Sequence, residues 1–219
     1  MPNYGDHSYW DDRYDKSGPD GSFDWLETLH SLMGVLKEFL THKDMNILVL
    51  GCGNADFSAD LYDEGYENIT NVDISSVVIK QMIEKNKDVR PKMTWVLMDI
   101  TEMEEFETDS FDLAIDKSTM DALLCGDDSY LNVALMLRET CRVLKPGGHC
   151  FSISYGKPES RSYHFERPFL SWEIREFILF EDKTEEEAKK DEKSHYIYVA
   201  QKNKDANEIS EKYFDSTFD

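Results

Sequence analysis

A chain of 219 residues with 24 Lys+Arg against 45 Asp+Glu, a formal net charge of −21, has room for one sizeable α/β core and is short for two full domains. That charge would repel a phosphate backbone unless basic side chains were gathered on one face, and no Lys/Arg stripe with interleaved aromatics occurs, so no nucleic acid is expected as partner and a basic protein is electrostatically easier. The four cysteines, Cys52, Cys125, Cys141 and Cys150, lack CxxC spacing, and neither a signal peptide nor a bilayer-spanning apolar run is present; reduced thiols, no membrane partner, no metal and a cytoplasmic monomer are expected.

In chain order, the aromatic and charged stretch Tyr9-Trp10-Asp11-Asp12-Arg13-Tyr14 and the turn-rich Ser17 to Ser22 make residues 1–22 a flap ahead of the core. From Phe23 to Leu40 apolar residues recur at three and four, which predicts an amphipathic helix opening a domain over 23–203. Asn46 to Leu50 is a short apolar run closed by Gly51-Cys52-Gly53, with Asn54 where a helix N-cap would stand and a helix ending near Gly65. Ile69 to Val72 ends in Asp73, and Ser75 is placed to cap the next helix; Thr94 to Met98 ends in Asp99; Phe111 to Ile115 ends in Asp116. A helix from Tyr130 to Leu144 closes on Lys145-Pro146-Gly147-Gly148 before the strand His149 to Ser154. Trp172 to Leu179 and His195 to Ala200 read as an antiparallel hairpin on the sheet edge, with the charged run Glu181 to Lys193 as a solvated connection. Residues 204–219 form a polar tail expected to fray.

Short apolar strands alternating with helical segments call for an α/β, Rossmann-like fold: a seven-stranded, mostly parallel sheet with helices on both faces and the antiparallel C-terminal hairpin. Ligands in such sheets sit at the carboxyl ends of the strands. Gly51, Asp73, Asp99 and Asp116 all fall there.

A G-x-G turn after a strand is shared by two cofactor classes. The dinucleotide fingerprint has a third glycine three residues after the second, bringing the helix N-terminus close to a pyrophosphate; here that position is Asp56, whose charge opposes such a ligand. S-adenosylmethionine has no phosphate and carries a sulfonium cation, which tolerates an acidic approach. Asp73 is placed to accept both ribose hydroxyls, and Asp99 the adenine amino group, with the Ile100 backbone beside a ring nitrogen. Each residue alone has a structural reading too: Gly51 and Gly53 as a tight turn, Asp73 and Asp99 as helix caps, Asp116 as a partner of Lys117. Together, on successive strand ends, they favour the cofactor.

The segments Tyr9 to Tyr14, Leu48-Val49-Leu50-Gly51-Cys52-Gly53-Asn54, Asn71-Val72-Asp73-Ile74-Ser75-Ser76-Val77-Val78, Asp116-Lys117-Ser118-Thr119-Met120-Asp121-Ala122-Leu123 and Arg142-Val143-Leu144-Lys145-Pro146-Gly147-Gly148 resemble the methyltransferase-like family that includes the lysine methyltransferases of elongation factor 1-alpha. The resemblance runs from about Tyr9 to about Ala200. It implies a seven-β-strand S-adenosylmethionine-dependent methyltransferase with S-adenosylhomocysteine as product, elongation factor 1-alpha as protein substrate, and a cofactor site lined by Trp10, Tyr14, Trp25, Gly51, Asp73, Ile74, Asp99, Ile100 and Lys117. Two positions depart from the broader pattern. Val49 replaces an acid two residues before the first glycine, and Ala55 a glycine two residues after the second; Asp56 is the candidate substitute for the missing acid. The run Glu181 to Lys193 is longer and more charged than in the relatives.

A protonated lysine has no lone pair to offer a methyl group, so the site must lower the amine's pKa or take its proton. Asp116 and Asp121, after the fourth strand, are expected to orient the ammonium as positioners rather than strong bases. Methylation of a small metabolite, and a non-catalytic cofactor-binding protein, are the alternatives.

Overall fold

The computed structural model describes residues 3–180, 184–191 and 193–214. At its centre is a seven-stranded sheet made of β1 (Ile47–Leu50), β2 (Ile69–Asp73), β3 (Thr94–Leu97), β4 (Phe111–Lys117), β5 (Leu144–Ser154), β6 (Trp172–Ile178) and β7 (Tyr196–Lys202). The order is β3-β2-β1-β4-β5-β7-β6, parallel from β3 to β5 and antiparallel across β5-β7-β6, as the sequence pattern predicts. Around the sheet lie α1 (His7–Ser17), α2 (Leu29–Leu36), α3 (Phe57–Asp63), α4 (Ser76–Asn86), α5 (Thr119–Leu123), α6 (Ser129–Val143), α7 (Pro158–Phe165), α8 (Glu185–Lys190) and α9 (Ala206–Tyr213).

No residue of β1 is exposed. Because side chains alternate along a strand, Leu48 and Leu50 enter one layer with Val72, Ala114 and Leu137 of α6. Ile47 and Val49 enter the other with Leu113, Ile115, and Leu32 and Leu36 of α2. Helices on both faces thus explain why these strands are uninterrupted apolar runs. Leu50 stands opposite both Val72 of β2 and Asp116 of β4. The chain therefore leaves β1 in the crevice where the strand order reverses, the place where open α/β sheets bind ligands.

Several elements differ from the sequence expectation. The predicted helix over Phe23 to Leu40 is confined to α2, because Thr28 caps it by accepting the Ser31 N–H at 3.4 Å and Leu26 adopts φ +61, outside any helix. Asn54 is buried in the glycine turn, and Asp56 occupies the N-cap position of α3 without a side-chain cap bond. Ser75 does cap α4, accepting the Val78 N–H at 3.3 Å. Lys145 to Gly148 does not interrupt the chain before a strand. It forms an irregularity within β5, where the register passes from Phe111↔Leu144 to Leu113↔His149.

The charged run is more than a connection: Thr184 and Glu187 form a reciprocal capping box that starts α8, and Ala188 is fully buried. Residues 181–183 and 192 of that run lie outside the described residues. In the polar tail, α9 packs back on the domain: Ala206 is buried, and Phe214 stacks edge-on with Phe169 at 4.9 Å under the Arg138 guanidinium. Polar composition misleads here because the polar residues are themselves anchors: Asn207 accepts from Lys202 at 3.0 Å and Asp205 from Ser171 at 2.8 Å. Residues 215–219 lie outside the description. Among the described residues no helix is long and apolar enough to cross a membrane.

Candidate functional site

At the carboxyl end of β1 the backbone turns through Gly51 (φ +59) and Gly53 (φ +54). Neither position has room for a side chain: a Cβ on Gly51 would lie 2.2 Å from Thr119 Oγ1, and one on Gly53 2.7 Å from the Tyr14 hydroxyl. The glycines thus admit two neighbours to the turn, the start of α5 and helix α1. Asp73, at the end of β2, accepts the Gly53 N–H at 2.8 Å on Oδ2 and the Ser75 N–H at 2.9 Å on Oδ1. One carboxylate therefore ties the glycine turn to the cap of α4. Burial pushes its pKa up to about 6 in spite of those two bonds, and the nearby Asp11 carboxylate adds to the rise.

Helix α1 crosses the ends of these strands. Its Asp11 accepts the Ser75 hydroxyl at 2.6 Å and the Val77 N–H at 3.4 Å, and Gln81 donates to the Tyr14 carbonyl at 3.1 Å. This anchors a layer of rings: Trp10 stacks on Tyr14 (centroids 5.9 Å apart) and meets Trp25 edge-on at 6.2 Å. Trp10 Nε1 donates to the Tyr4 carbonyl at 2.8 Å. Arg13 lies 5.2 Å from the Phe23 ring and 5.0 Å from Trp25. Tyr14 is buried, which raises its phenol far above the ordinary range, with the Asp73 charge adding to the effect, so the hydroxyl stays neutral.

Beneath the rings is a cavity of about 430 Å³, within the span of small-molecule sites, roughly 300–1,000 Å³. Trp10, Tyr14, Trp25, Gly51, Gly53, Asp73, Ile74, Asp99, Ile100, Lys117 and Asp121 all line it. Asp99 Oδ1 accepts the Thr101 N–H at 2.9 Å and its hydroxyl at 2.7 Å, which leaves Oδ2 without a hydrogen bond among the described residues. Lys117 donates to the Trp25 carbonyl at 2.9 Å and forms an ion pair with Asp24, also at 2.9 Å. Burial lowers its pKa, against the opposing pull of Asp24 and Glu27.

Asp116 and Asp121, expected to act together, are separated by the structure. Asp116 is fully buried and is absent from the cavity wall. It accepts the Thr119 and Met120 N–H groups at 2.8 and 3.3 Å and the Ser152 hydroxyl at 2.6 Å, so it anchors the start of α5. Burial pushes its pKa to about 6, and the Asp121 charge contributes. Asp121 is on the wall, but Arg161 donates to Oδ1 at 3.0 Å and the Tyr155 N–H to Oδ2 at 3.0 Å. Asp56 does not take the place of the missing acid: it pairs with Lys85 at 2.8 Å and accepts from Ser22 at 2.6 Å, away from the cavity.

Sequence reasoning missed the other half of the wall. Tyr4, Gly5 and His7 belong to the N-terminal segment, Ser118, Thr119, Ala122, Leu123 and Cys125 lie in and around α5, and Tyr155 follows β5. Tyr155 carried a usable signal, being the first residue beyond a parallel strand. Apart from Asp121, the contribution of α5 carried none, since it depends on the left-handed Ser118 (φ +70) that turns the chain there.

Residues 41–212 match a family model described as a methyltransferase domain. Over 177 residues, 78% of its length, the chain is 39% identical to the Homo sapiens "eEF1A lysine and N-terminal methyltransferase", of which it spans only 25%. Over 175 residues it is 34% identical to the Mus musculus "EEF1A lysine methyltransferase 4", covering 76% of this chain and 68% of that one. Among solved structures, the N-methyltransferase NodS from Bradyrhizobium japonicum is similar with a TM-score of 0.58, 15% identity, and coverage of 80% and 96% of the two chains. The [4+2]-cyclase SpnF is similar with a TM-score of 0.60, 14% identity, and coverage of 90% and 97%. These two likenesses show the fold, which hosts more than one chemistry.

Proposed function

The chain belongs to the methyltransferase-domain family, and from that premise we propose that it is an S-adenosylmethionine-dependent protein lysine N-methyltransferase acting on elongation factor 1-alpha, as the names of its relatives suggest. The observation that carries the cofactor reading is the charge of the cavity. Among the described residues its charged wall includes Asp73, Asp99 and Asp121, the last paired with Arg161, and the lysine on it, Lys117, is paired with Asp24. The first turn of α3, where a pyrophosphate would seek free N–H groups, carries Asp60, and the carboxylate at its N-cap, Asp56, is turned to Lys85 and Ser22. Such a set of acceptors fits a cation with hydroxyl and amino groups and opposes a phosphate.

When bound, S-adenosylmethionine supplies an electrophilic methyl group on a sulfonium and leaves as S-adenosylhomocysteine. Asp73 would accept the ribose hydroxyls and Asp99 the adenine amino group, with Ile74 and Ile100 against the ring. Gly51 and Gly53 give backbone access. Trp10, Tyr14 and Trp25 would exclude water, and a ring face beside the sulfonium is worth about 0.5–2 kcal/mol. Residues 1–22 would then act as the flap of the domain over 23–203. Lys117 would position Trp25 through its carbonyl. Asp121 would place Tyr155 at the acceptor end, and Asp116 would serve from behind by fixing α5.

A net charge of −21 favours a basic protein substrate, met in the cytoplasm by a monomeric enzyme. The test is a titration followed by label transfer. Calorimetry is expected to show S-adenosylmethionine binding, and radiolabel from its methyl group to appear in elongation factor 1-alpha. Label in small molecules alone would favour metabolite methylation, and absence of binding would refute both.

A further inference from the structure

Beside the roof of the cavity the backbone is strained. Leu26 has φ +61, a conformation that costs a bulky residue on the order of 1–3 kcal/mol and persists only where its surroundings enforce it. The Glu27 N–H bonds back to the Trp25 carbonyl at 2.7 Å, and the same carbonyl accepts from Lys117 at 2.9 Å. This three-residue turn sends Trp25 to the cavity and Glu27 to His195, whose Nδ1 lies 2.6 Å from Glu27 Oε1. His195 precedes β7, next to the carboxyl end of β5, and its ring meets Tyr155 edge-on at 4.8 Å. Tyr155 lines the cavity and is 54% exposed, whereas His195 and Glu27 stand beside it, off the wall. The pair itself is sheltered, with side chains 15% and 17% exposed.

Burial opposes ionisation of Glu27, but hydrogen bonds from His195 and Ser31 outweigh it and hold the carboxyl below its ordinary range. A carboxylate has no proton to give. In the neutral form of the ring Nδ1 is therefore the donor, and Nε2 presents a lone pair. Among the described residues Nε2 has no hydrogen-bond partner. The charged and titratable groups around the ring are Glu27 from the segment before α2, Tyr155 from the end of β5 and, through the shared Trp25 carbonyl, Lys117 of β4 with its partner Asp24. The acids near the acceptor end are already committed: Asp121 pairs with Arg161, and Asp116 is enclosed behind the wall.

We propose that His195, oriented by Glu27, accepts at Nε2 the proton of the amine to be methylated, which arrives along the Tyr155 ring. This rests on the amine-methylation reading above. An N–H bond of the ammonium breaks and its proton goes to Nε2; the freed nitrogen lone pair forms the new C–N bond. The C–S bond breaks with its electron pair remaining on sulfur, which leaves as a neutral thioether, and His195 returns its proton to water. The carboxylate–imidazole pair is the arrangement that fixes a ring for such work.

The experiment uses the full chain, His195→Asn and Glu27→Gln, with S-adenosylmethionine and elongation factor 1-alpha as probes. Both variants are expected to bind the cofactor within about twofold of the parent by calorimetry, which also reports that they fold. At pH 7 the methylation rate of His195→Asn is expected to fall on the order of 10²-fold or more, and most of that loss to be regained near pH 10, where the amine sheds its proton unaided. Nitrogen-15 spectra of the unliganded parent are expected to show the Nδ1–H tautomer, and Glu27→Gln to lose that preference. An Nε2–H tautomer in the parent, a loss equal at every pH, or a fully active His195→Asn overturns the proposal. A parent that binds the cofactor yet methylates no amine overturns the amine reading and this inference with it.

Discussion

Replacing Asp73 by Asn separates the carboxylate's two tasks. In the folded chain it organises the glycine turn by accepting the Gly53 and Ser75 N–H groups at 2.8 and 2.9 Å; in the proposed complex it also accepts two ribose hydroxyls. An Asn of the same shape keeps one backbone bond and turns its NH₂ toward the other donor, losing roughly 1–3 kcal/mol. Against this, burial raises the acid from 3.8 to about 6, and about 1.4 kcal/mol per unit makes the removed penalty on the charge on the order of 3 kcal/mol. The two nearly cancel, so the unliganded variant is expected to melt within a few degrees of the parent. The ligand has no such compensation. Losing two charge-assisted hydrogen bonds of about 1.5–3 kcal/mol each predicts cofactor binding weaker by about 100-fold or more. Calorimetric titration at pH 7.5, with the melting curve as control, measures both. A well-folded variant that binds within threefold of the parent would refute the ribose assignment.

Asp73 and Asp116 both have folded-state pKa values raised to about 6, so the stability they contribute is fully present below their ordinary 3.8 and is lost as pH rises through 6. Glu27, Asp56 and Glu139 are held low and act in the opposite sense, but only at more acidic pH. Between pH 7 and 5 the unliganded protein is thus expected to hold or gain in Tm, while cofactor affinity falls with a midpoint near 6; calorimetry showing affinity flat across that interval would contradict the role of Asp73. Asp116→Ala strands two buried N–H groups and the Ser152 hydroxyl and is expected to cost about 2–5 kcal/mol in denaturant unfolding. Trp10→Ala, which removes a ring from the roof, is expected to weaken cofactor binding by about 2–30-fold with little change in the fold; a fluorescence titration reads it directly.

The parallel half of the molecule was legible because β1, β2 and β4 are buried on both faces, so their apolar runs stand out and their ends mark the edge of the cavity. Gly51, Gly53 and Asp73 could be named on that basis, and Asp99 by its place after the more exposed β3. The aromatic roof was not legible from spacing. Trp25 and Leu26 fit the helical period of α2, yet Thr28 ends the helix before reaching them and the Leu26 turn diverts Trp25 to the cavity. A strand-end position also fails to say which way a carboxylate points: Asp116 stands level with Val72, one residue short of Asp73, and is consumed by the N-terminus of α5. His195 and Glu27 lie far apart in sequence and meet only because β7 inserts beside β5.

Intact-mass and peptide mass spectrometry of elongation factor 1-alpha, incubated with the chain and S-adenosylmethionine bearing a trideuterated methyl group, tests the central claim most directly. A labelled methyl group is expected on a lysine side chain, lost in Asp73→Asn at limiting cofactor. Cofactor binding with no labelled lysine in that protein would contradict the assignment of substrate, and label on a residue other than lysine would contradict the chemistry.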